Sequence, residues 1–164
     1  MYKTGLIIGR FQPFHNGHLY LFKEAFKIVN TAIIGIGSVN VHNEDNPFSQ
    51  QQVEKMLQAV LEHTGCNDHL IQTLGIPDFH DDEKWLDHII TNARPFDVVI
   101  SHNDWVIGIF EKANMPVIAI PFYKRELYEG VKIRELMKQG DDWIKRVPDY
   151  VAEIITESVD GVGH

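Results

Sequence analysis

GRFQPFHNGH, spanning Gly9 to His18, follows a short apolar run from Gly5 to Ile8 and leads into a helix-like stretch beginning near Gly17. A buried strand therefore ends in a loop that carries an arginine and two histidines, with a helix N-terminus directly behind it. Backbone N–H groups and the dipole at such a terminus attract phosphate. The spacing His15-x-x-His18 sets two imidazoles at the mouth of that pocket. Arg10 adds a planar fork matched to phosphate oxygens, and Pro13 stiffens the turn. Gly17 is expected to let the backbone approach a ligand where a Cβ would obstruct it. Taken alone, the histidine spacing also fits a helix cap followed by a solvated residue. A zinc site needs a third and fourth ligand at suitable spacing, and none stands out. The loop as a whole reads as a cradle for a nucleotide's phosphates.

Outward from this loop, apolar runs recur at Ala32–Ile36, Leu70–Leu74, Val98–Ile100 and Val117–Ile120. Amphipathic stretches separate them at Leu19–Val29, Val53–Leu61, Trp85–Ala93 and Trp105–Ala113. Short runs apolar on both faces, alternating with helices, imply an α/β fold: a Rossmann-like, doubly wound parallel sheet of about five strands. Such sheets bind ligands at the strand C-terminal ends near the switch in strand order, and the strand ending at Gly9 is expected to border that switch. Ser49-Gln-Gln-Gln52 reads as a capping box for the second helix, and Asp81 or Asp82 as a cap for the third. After Pro121 the pattern changes to helix-like stretches at Lys132–Lys138 and Val151–Ile155. These read as a C-terminal helical cap, about 122–164, on a sheet core of about 1–121 within a single domain. The sequence ends at Gly161-Val-Gly-His164, so any further C-terminal segment used in assembly is expected to be short or absent.

The composition narrows the function. A chain of 164 residues, 44% apolar and 23% charged, is ordinary for a globular domain. No run approaches the roughly 20 apolar residues that span a membrane, and no signal peptide opens the chain. The single cysteine, Cys66, fits a reducing cytoplasm. A net charge of −8 argues against nucleic-acid backbones as partners, yet a pocket can be locally positive while the surface stays acidic. His80-Asp-Asp82 with Asp87-His88 suggests either a cation site or, more in keeping with its position, the acidic first turn of a helix. Gly35-x-Gly-Ser38 fits a tight turn leaving a strand, with Gly37 or Ser38 expected to line the pocket. Trp85, taken alone, reads as core, as do Trp105 and Trp143. Lys124-Arg125 reads either as solvated surface or as a lure for triphosphate.

The opening decapeptide resembles the H-x-G-H signature of the nucleotidyltransferase superfamily, and in particular the archaeal-type nicotinamide mononucleotide (NMN) adenylyltransferases. The similarity continues in order through Gly35-Ile-Gly-Ser38, Asn46-Pro-Phe48, Pro95-Phe-Asp97 and Ile133-Arg134. What it implies is transfer of AMP from ATP to NMN, giving NAD and pyrophosphate by in-line attack, with Mg²⁺ arriving on ATP. His15, His18, Arg10 and Arg134 would be the catalytic set. Gly9, Phe11, Gly17, Asn103 and Ile133 would join them around ATP, while Gly37, Ser38, Asp82 and Trp85 would surround NMN, with Trp85 stacked on the nicotinamide. Relatives are commonly hexameric, so self-association is expected.

The chain departs from that pattern in places. Val131 stands where relatives carry a threonine before the Ile-Arg motif, and Gln50–Glu54 replaces a segment that supplies an arginine. The loop Val41–Asp45 is shorter by one residue, which leaves His42 without a clear counterpart. Asp82 replaces an asparagine three residues before the tryptophan, and is expected to accept from the carboxamide of NMN and repel nicotinate mononucleotide. Rival readings keep the fold: another acceptor such as phosphopantetheine, a cytidylyltransferase, or a nucleotide sensor without turnover.

Overall fold

The computed structural model of the chain describes residues 1–162, with side chains as far as Glu157. Among those residues, five parallel strands form one sheet. They are β1 (Tyr2–Gly9), β2 (Val29–Gly37), β3 (Leu70–Ile76), β4 (Val98–Ser101) and β5 (Val117–Ala119), in the order β3-β2-β1-β4-β5. The chain winds outward from β1 to β3, then returns to the other side of β1 through β4. The switch in strand order thus falls between β1 and β4, which pair directly through Leu6 and Val99. A crevice opens beyond the carboxyl ends of two strands at such a point.

Alternation along each strand sends side chains to both faces, and both are covered. Ile7, Ile34 and Ile36 meet Leu21 and Phe22 of α1 (Asn16–Ala25), Met56 and Val60 of α2 (Gln50–Thr64), and Val151 and Ile155 of α6 (Asp149–Val162). On the other face Leu6, Ile8 and Ile33 meet Trp85 and Ile89 of α3 (Asp82–Asn92) and Ile109 and Phe110 of α4 (Asp104–Lys112). Between β5 and α6 lie α5 (Gly130–Gln139) and a short 3₁₀ turn over Asp142–Arg146.

One expectation is corrected. The stretch Leu19–Val29 is not one helix: α1 ends at Ala25, the chain turns through Phe26–Ile28, and Val29 opens β2 opposite Tyr2. β-branched Val29 belongs to the strand, where such a side chain packs well. The C-terminal helices pack onto the sheet as part of its core. Val151, Ala152 and Ile155 are buried in the same cluster as α1 and α2, and Ile133 of α5 joins them. The expectation about the terminal tetrapeptide reaches Gly163 and His164, which lie outside the described residues. No helix among the described residues is long and apolar enough to cross a membrane.

The capping box of α2 forms as read, with Ser49 Oγ accepting from Gln52 N–H at 3.2 Å and Gln52 Oε1 accepting from Ser49 N–H at 2.8 Å. Asp81 caps α3 without a reciprocal bond, its Oδ1 accepting from the N–H groups of Glu83 and Lys84. Ser49→Ala is expected to lower stability by about 1 kcal/mol, read as a drop in the urea unfolding midpoint.

Candidate active site

A cavity of about 450 Å³ opens at the switch between β1 and β4. The loop after β1 forms one wall, the loop after β4 a second, and the first turn of α5 a third. Its size lies in the range of small-molecule and cofactor sites.

The two histidines of the first loop are oriented by the helix they precede. His15 is the N-cap of α1, and its Nδ1 accepts from Gly17 N–H at 3.1 Å and His18 N–H at 3.3 Å. His18 Nδ1 accepts in return from His15 N–H at 3.1 Å. Each Nδ1 lone pair is thereby used, so each neutral ring carries its proton on Nε2. The rings stack with centroids 3.7 Å apart, both largely buried yet lining the cavity. Burial first, then electrostatic interaction with His102 and with the Arg134 guanidinium, holds His15 down from 6.5 to about 3. His18 is held well below the usual imidazole value, first by burial, then by His15, His102 and Arg10. At neutral pH the pair presents two uncharged N–H donors. The helix-cap reading holds for His15, and the cap also aims the ring at the cavity. His18 is not solvated.

Gln12 ties the loop to distant segments. Its side chain donates to Phe48 C=O and accepts from Phe48 N–H, both at 2.8 Å. Its own carbonyl accepts from Arg134 Nη1 at 2.8 Å. A Cβ on Gly130 would stand 2.8 Å from that same Nη1, so a side chain there would push the Arg134 guanidinium from its present position. Phe11 beside Gln12 holds a left-handed φ of 55°, a conformation that costs a bulky residue about 1–3 kcal/mol. Burial of its ring against Phe14, Phe22 and His18 offsets that strain.

The arrangement suits a polyanion. Arg10, Arg125 and Arg134 line the cavity against two carboxylates, Asp78 and Glu129. Burial, and then the Arg10 guanidinium, lower the Arg134 pKa, while Asp45 partly opposes them. Mutual repulsion among these cations is what a triphosphate would relieve. The N-terminus of α5 adds a further donor group, since Glu129 precedes it without capping it through its side chain. That carboxylate is engaged instead with Arg125 Nε at 3.5 Å and Lys132 Nζ at 3.7 Å. First-turn N–H groups at such an end bind anions.

Comparison with known proteins places this geometry in a lineage. The cytidylyltransferase-like family profile matches residues 6–136. The chain belongs to that family. Within it, the chain is 39% identical to a nicotinamide-nucleotide adenylyltransferase of Methanolobus tindarius, covering 98% of this chain and 91% of that one. It is 36% identical to the enzyme of the same name from Methanothrix thermoacetophila, over 94% and 90% of the two chains. Among solved structures it matches a bifunctional NMN adenylyltransferase/ADP ribose pyrophosphatase from Francisella tularensis, with a TM-score of 0.81 and 26% identity. That match covers 98% of this chain and spans half the length of the larger one. A complex of the Francisella protein with AMP and manganese ion matches with a TM-score of 0.73 and 25% identity, covering 90% of this chain and 44% of that one. The chain is a nucleotidyltransferase by descent as well as by its loop.

Most of the residues singled out from the sequence converge here. Gly9, Arg10, Phe11, His15, His18, Gly37, Ser38, Trp85, Asn103 and Arg134 all line the cavity. Arg10 reaches it from the surface, with Nη1 donating to Asn46 Oδ1 at 3.3 Å. Asn103 caps α4, its Oδ1 accepting from Trp105 and Val106 N–H, which leaves Nδ2 for a ligand. Three residues fall outside the lining. A Cβ on Gly17 would come 2.9 Å from His15 Cε1 and 3.2 Å from Tyr128 Cβ, so this glycine makes room for the histidine rather than the ligand. Ile133 is fully buried in the core. Asp82 sits exposed on the first turn of α3. Asp78, whose carboxylate accepts from Ser38 Oγ at 2.8 Å, lines the cavity in its stead.

Sequence reasoning missed His102, Asp78, Phe122 and Trp105 as lining residues. Trp143 is buried as expected, whereas Trp105 is 51% exposed and not in the core. Of the pair Lys124-Arg125, only Arg125 lines the cavity. The candidate cation cluster is structural: Asp81 caps α3 and His88 Nε2 meets Gly75 C=O at 2.9 Å. No group of three or more His, Cys, Asp or Glu among the described residues is arranged to hold a metal ion.

Neutral buried imidazoles make stability depend on pH. The unfolded chain takes up protons below about 6.5, whereas folded His15 resists until about 3 and His102 until about 4. The unfolded state thus binds more protons across that window, so stability falls as pH falls. The urea midpoint is expected to drop between pH 7.5 and pH 5. His15→Asn keeps a capping oxygen but cannot titrate, and should flatten that drop.

Proposed function

We propose that this chain joins NMN to the AMP portion of ATP, forming NAD and releasing pyrophosphate. The observation that carries the reading is the pair of neutral Nε2–H donors from His15 and His18, set beside Arg10, Arg134 and the open start of α5. In this reading a 5′-phosphate oxygen of NMN attacks the α-phosphorus of ATP in line. The new P–O bond forms as the bond to the bridging oxygen breaks, and pyrophosphate leaves with the electron pair. No covalent enzyme intermediate is needed, because positioning and charge stabilisation supply the rate. Neutral donors serve well here: they strengthen as charge collects on the non-bridging oxygens and hold no proton that must first be lost.

Arg134 and the α5 N-terminus would hold the β- and γ-phosphates. Val131, 58% exposed at that first turn, lacks the hydroxyl of relatives, but the backbone donors there do not depend on the side chain. Mg²⁺ would enter as part of the ATP substrate, held by phosphate oxygens and water. The same reading makes the protein a cytoplasmic, self-associating enzyme.

Asp78 takes over the discriminating role expected of Asp82. A carboxylate facing the cavity accepts from a carboxamide NH₂ and repels the carboxylate of nicotinate mononucleotide. Asp78→Asn should raise the kcat/KM ratio of the nicotinate over the nicotinamide substrate, and Asp82→Asn should leave it unchanged.

Chromatography of products from ATP, Mg²⁺ and NMN is the direct test. NAD and pyrophosphate are expected, with kcat falling roughly a hundred- to a thousandfold in His18→Ala, the usual effect of losing one preorganised donor. ATP binding without product from NMN, nicotinate mononucleotide or phosphopantetheine would replace the enzyme reading with a sensor.

A further inference from the structure

One turn in the loop between β2 and α2 reaches two of the arginines that line the cavity. Asn43 folds it: its Oδ1 accepts from the N–H groups of Asp45 and Asn46, both at 3.0 Å, and from Asn46 Nδ2 at 3.1 Å. Asn46 Oδ1 in turn accepts from Arg10 Nη1 at 3.3 Å. On the other side, Asp45 Oδ1 lies 3.8 Å from Arg134 Nη2. Glu44 Oε2 lies 3.8 Å from Lys138 Nζ, a helical turn further along α5. Arg134 Nη1 is committed to the Gln12 carbonyl, so Nη2 is the terminal nitrogen left to meet a phosphate. Asp45 stands at that nitrogen. The Arg134 side chain is 8% exposed and the Asp45 side chain 73%. The cation is fixed in the wall, while the anion has room to swing into water.

We propose that Asp45 is a displaceable stand-in for phosphate: it holds Arg134 while the cavity is empty, yields to the polyphosphate of the substrate, and returns as pyrophosphate leaves. The inference rests on the reading that Arg134 holds the β- and γ-phosphates, and adds the residue that sets how readily they are released. Two anions contend for one donor. An ion pair this exposed is weak, which suits the role, because a polyphosphate with several charges readily displaces it. The turn built on the Asn43 side chain keeps the backbone of Asp45 in place during the exchange, so only the side chain has to rotate. Departure of pyrophosphate leaves the Arg134 guanidinium beside Arg10, whose charge opposes its own, while Asp45 favours it. A carboxylate that returns to Nη2 eases that departure.

Calorimetric titration with pyrophosphate reads this contest without any need for turnover. Asp45→Asn keeps the size of the side chain and removes its charge. It is expected to lower the Kd for pyrophosphate about threefold at low ionic strength, a gain that shrinks as salt is raised. In steady state, pyrophosphate should inhibit the variant more strongly by the same factor. Glu44→Gln removes an equal charge one residue away, opposite Lys138, which is not among the cavity's lining residues. It should change the Kd by less than about 1.5-fold. In an Arg134→Gln background, Asp45→Asn should lose its effect. An unchanged Kd in Asp45→Asn would overturn the proposal. So would an equal gain in Glu44→Gln, the mark of general charge repulsion, or a gain that persists without the Arg134 guanidinium. Pyrophosphate binding that Arg134→Gln fails to weaken is a separate result: it removes the phosphate site at Arg134 itself, and this proposal with it.

Discussion

Everything at the cavity turns on where the two Nδ1 lone pairs go. Helix α1 must satisfy the N–H groups of its first turn, and it does so with imidazole rings rather than a serine or aspartate. A hydroxyl cap would satisfy the same groups but present nothing to a ligand beyond them. Using a histidine as cap fixes the tautomer and aims the remaining N–H in one step. The second histidine then answers the first, so neither ring can turn without stranding a buried donor, which costs about 1–3 kcal/mol. The geometry that the pair presents to the cavity is thus maintained by the helix's own requirement for a cap.

The cost of this arrangement is spread over the loop. Three arginines share one cavity, two imidazoles are kept neutral by burial, and Phe11 sits in a left-handed conformation. Each feature opposes folding, and each is held by packing that the sheet provides. The aromatic cluster of Phe11, Phe14 and Phe22 and the Gln12–Phe48 pair are what make the loop rigid. Sites built for differential binding are commonly of this kind, with strain and repulsion released by the ligand.

Much of this was legible in the sequence. Short runs apolar on both faces and amphipathic stretches between them point to the alternating elements, the Ser49 cap and the choice of Asp81 or Asp82 are read from short local signals, and the first loop announces itself through a motif that is contiguous. What escaped lies where the signal is not local. Whether Asp78 or Asp82 faces the cavity depends on the Ser38 hydroxyl, which is 40 residues away. Trp105 and Trp143 look alike in sequence, yet one starts a helix at the switch point and the other closes the core. Gly17 was assigned to the ligand because only the structure shows the His15 ring lying against it. The boundary at Val29 was lost because an apolar run continued without a break from helix into strand.

The bond from Arg134 to the Gln12 carbonyl spans 122 residues. Gln12 precedes every helix, and Arg134 follows all five strands. A chain emerging from the ribosome can therefore lay down the whole sheet while the carbonyl of Gln12 still faces water. The loop acquires its guanidinium clamp only when the start of α5 docks, so the last third of the chain completes a site that the first tenth began.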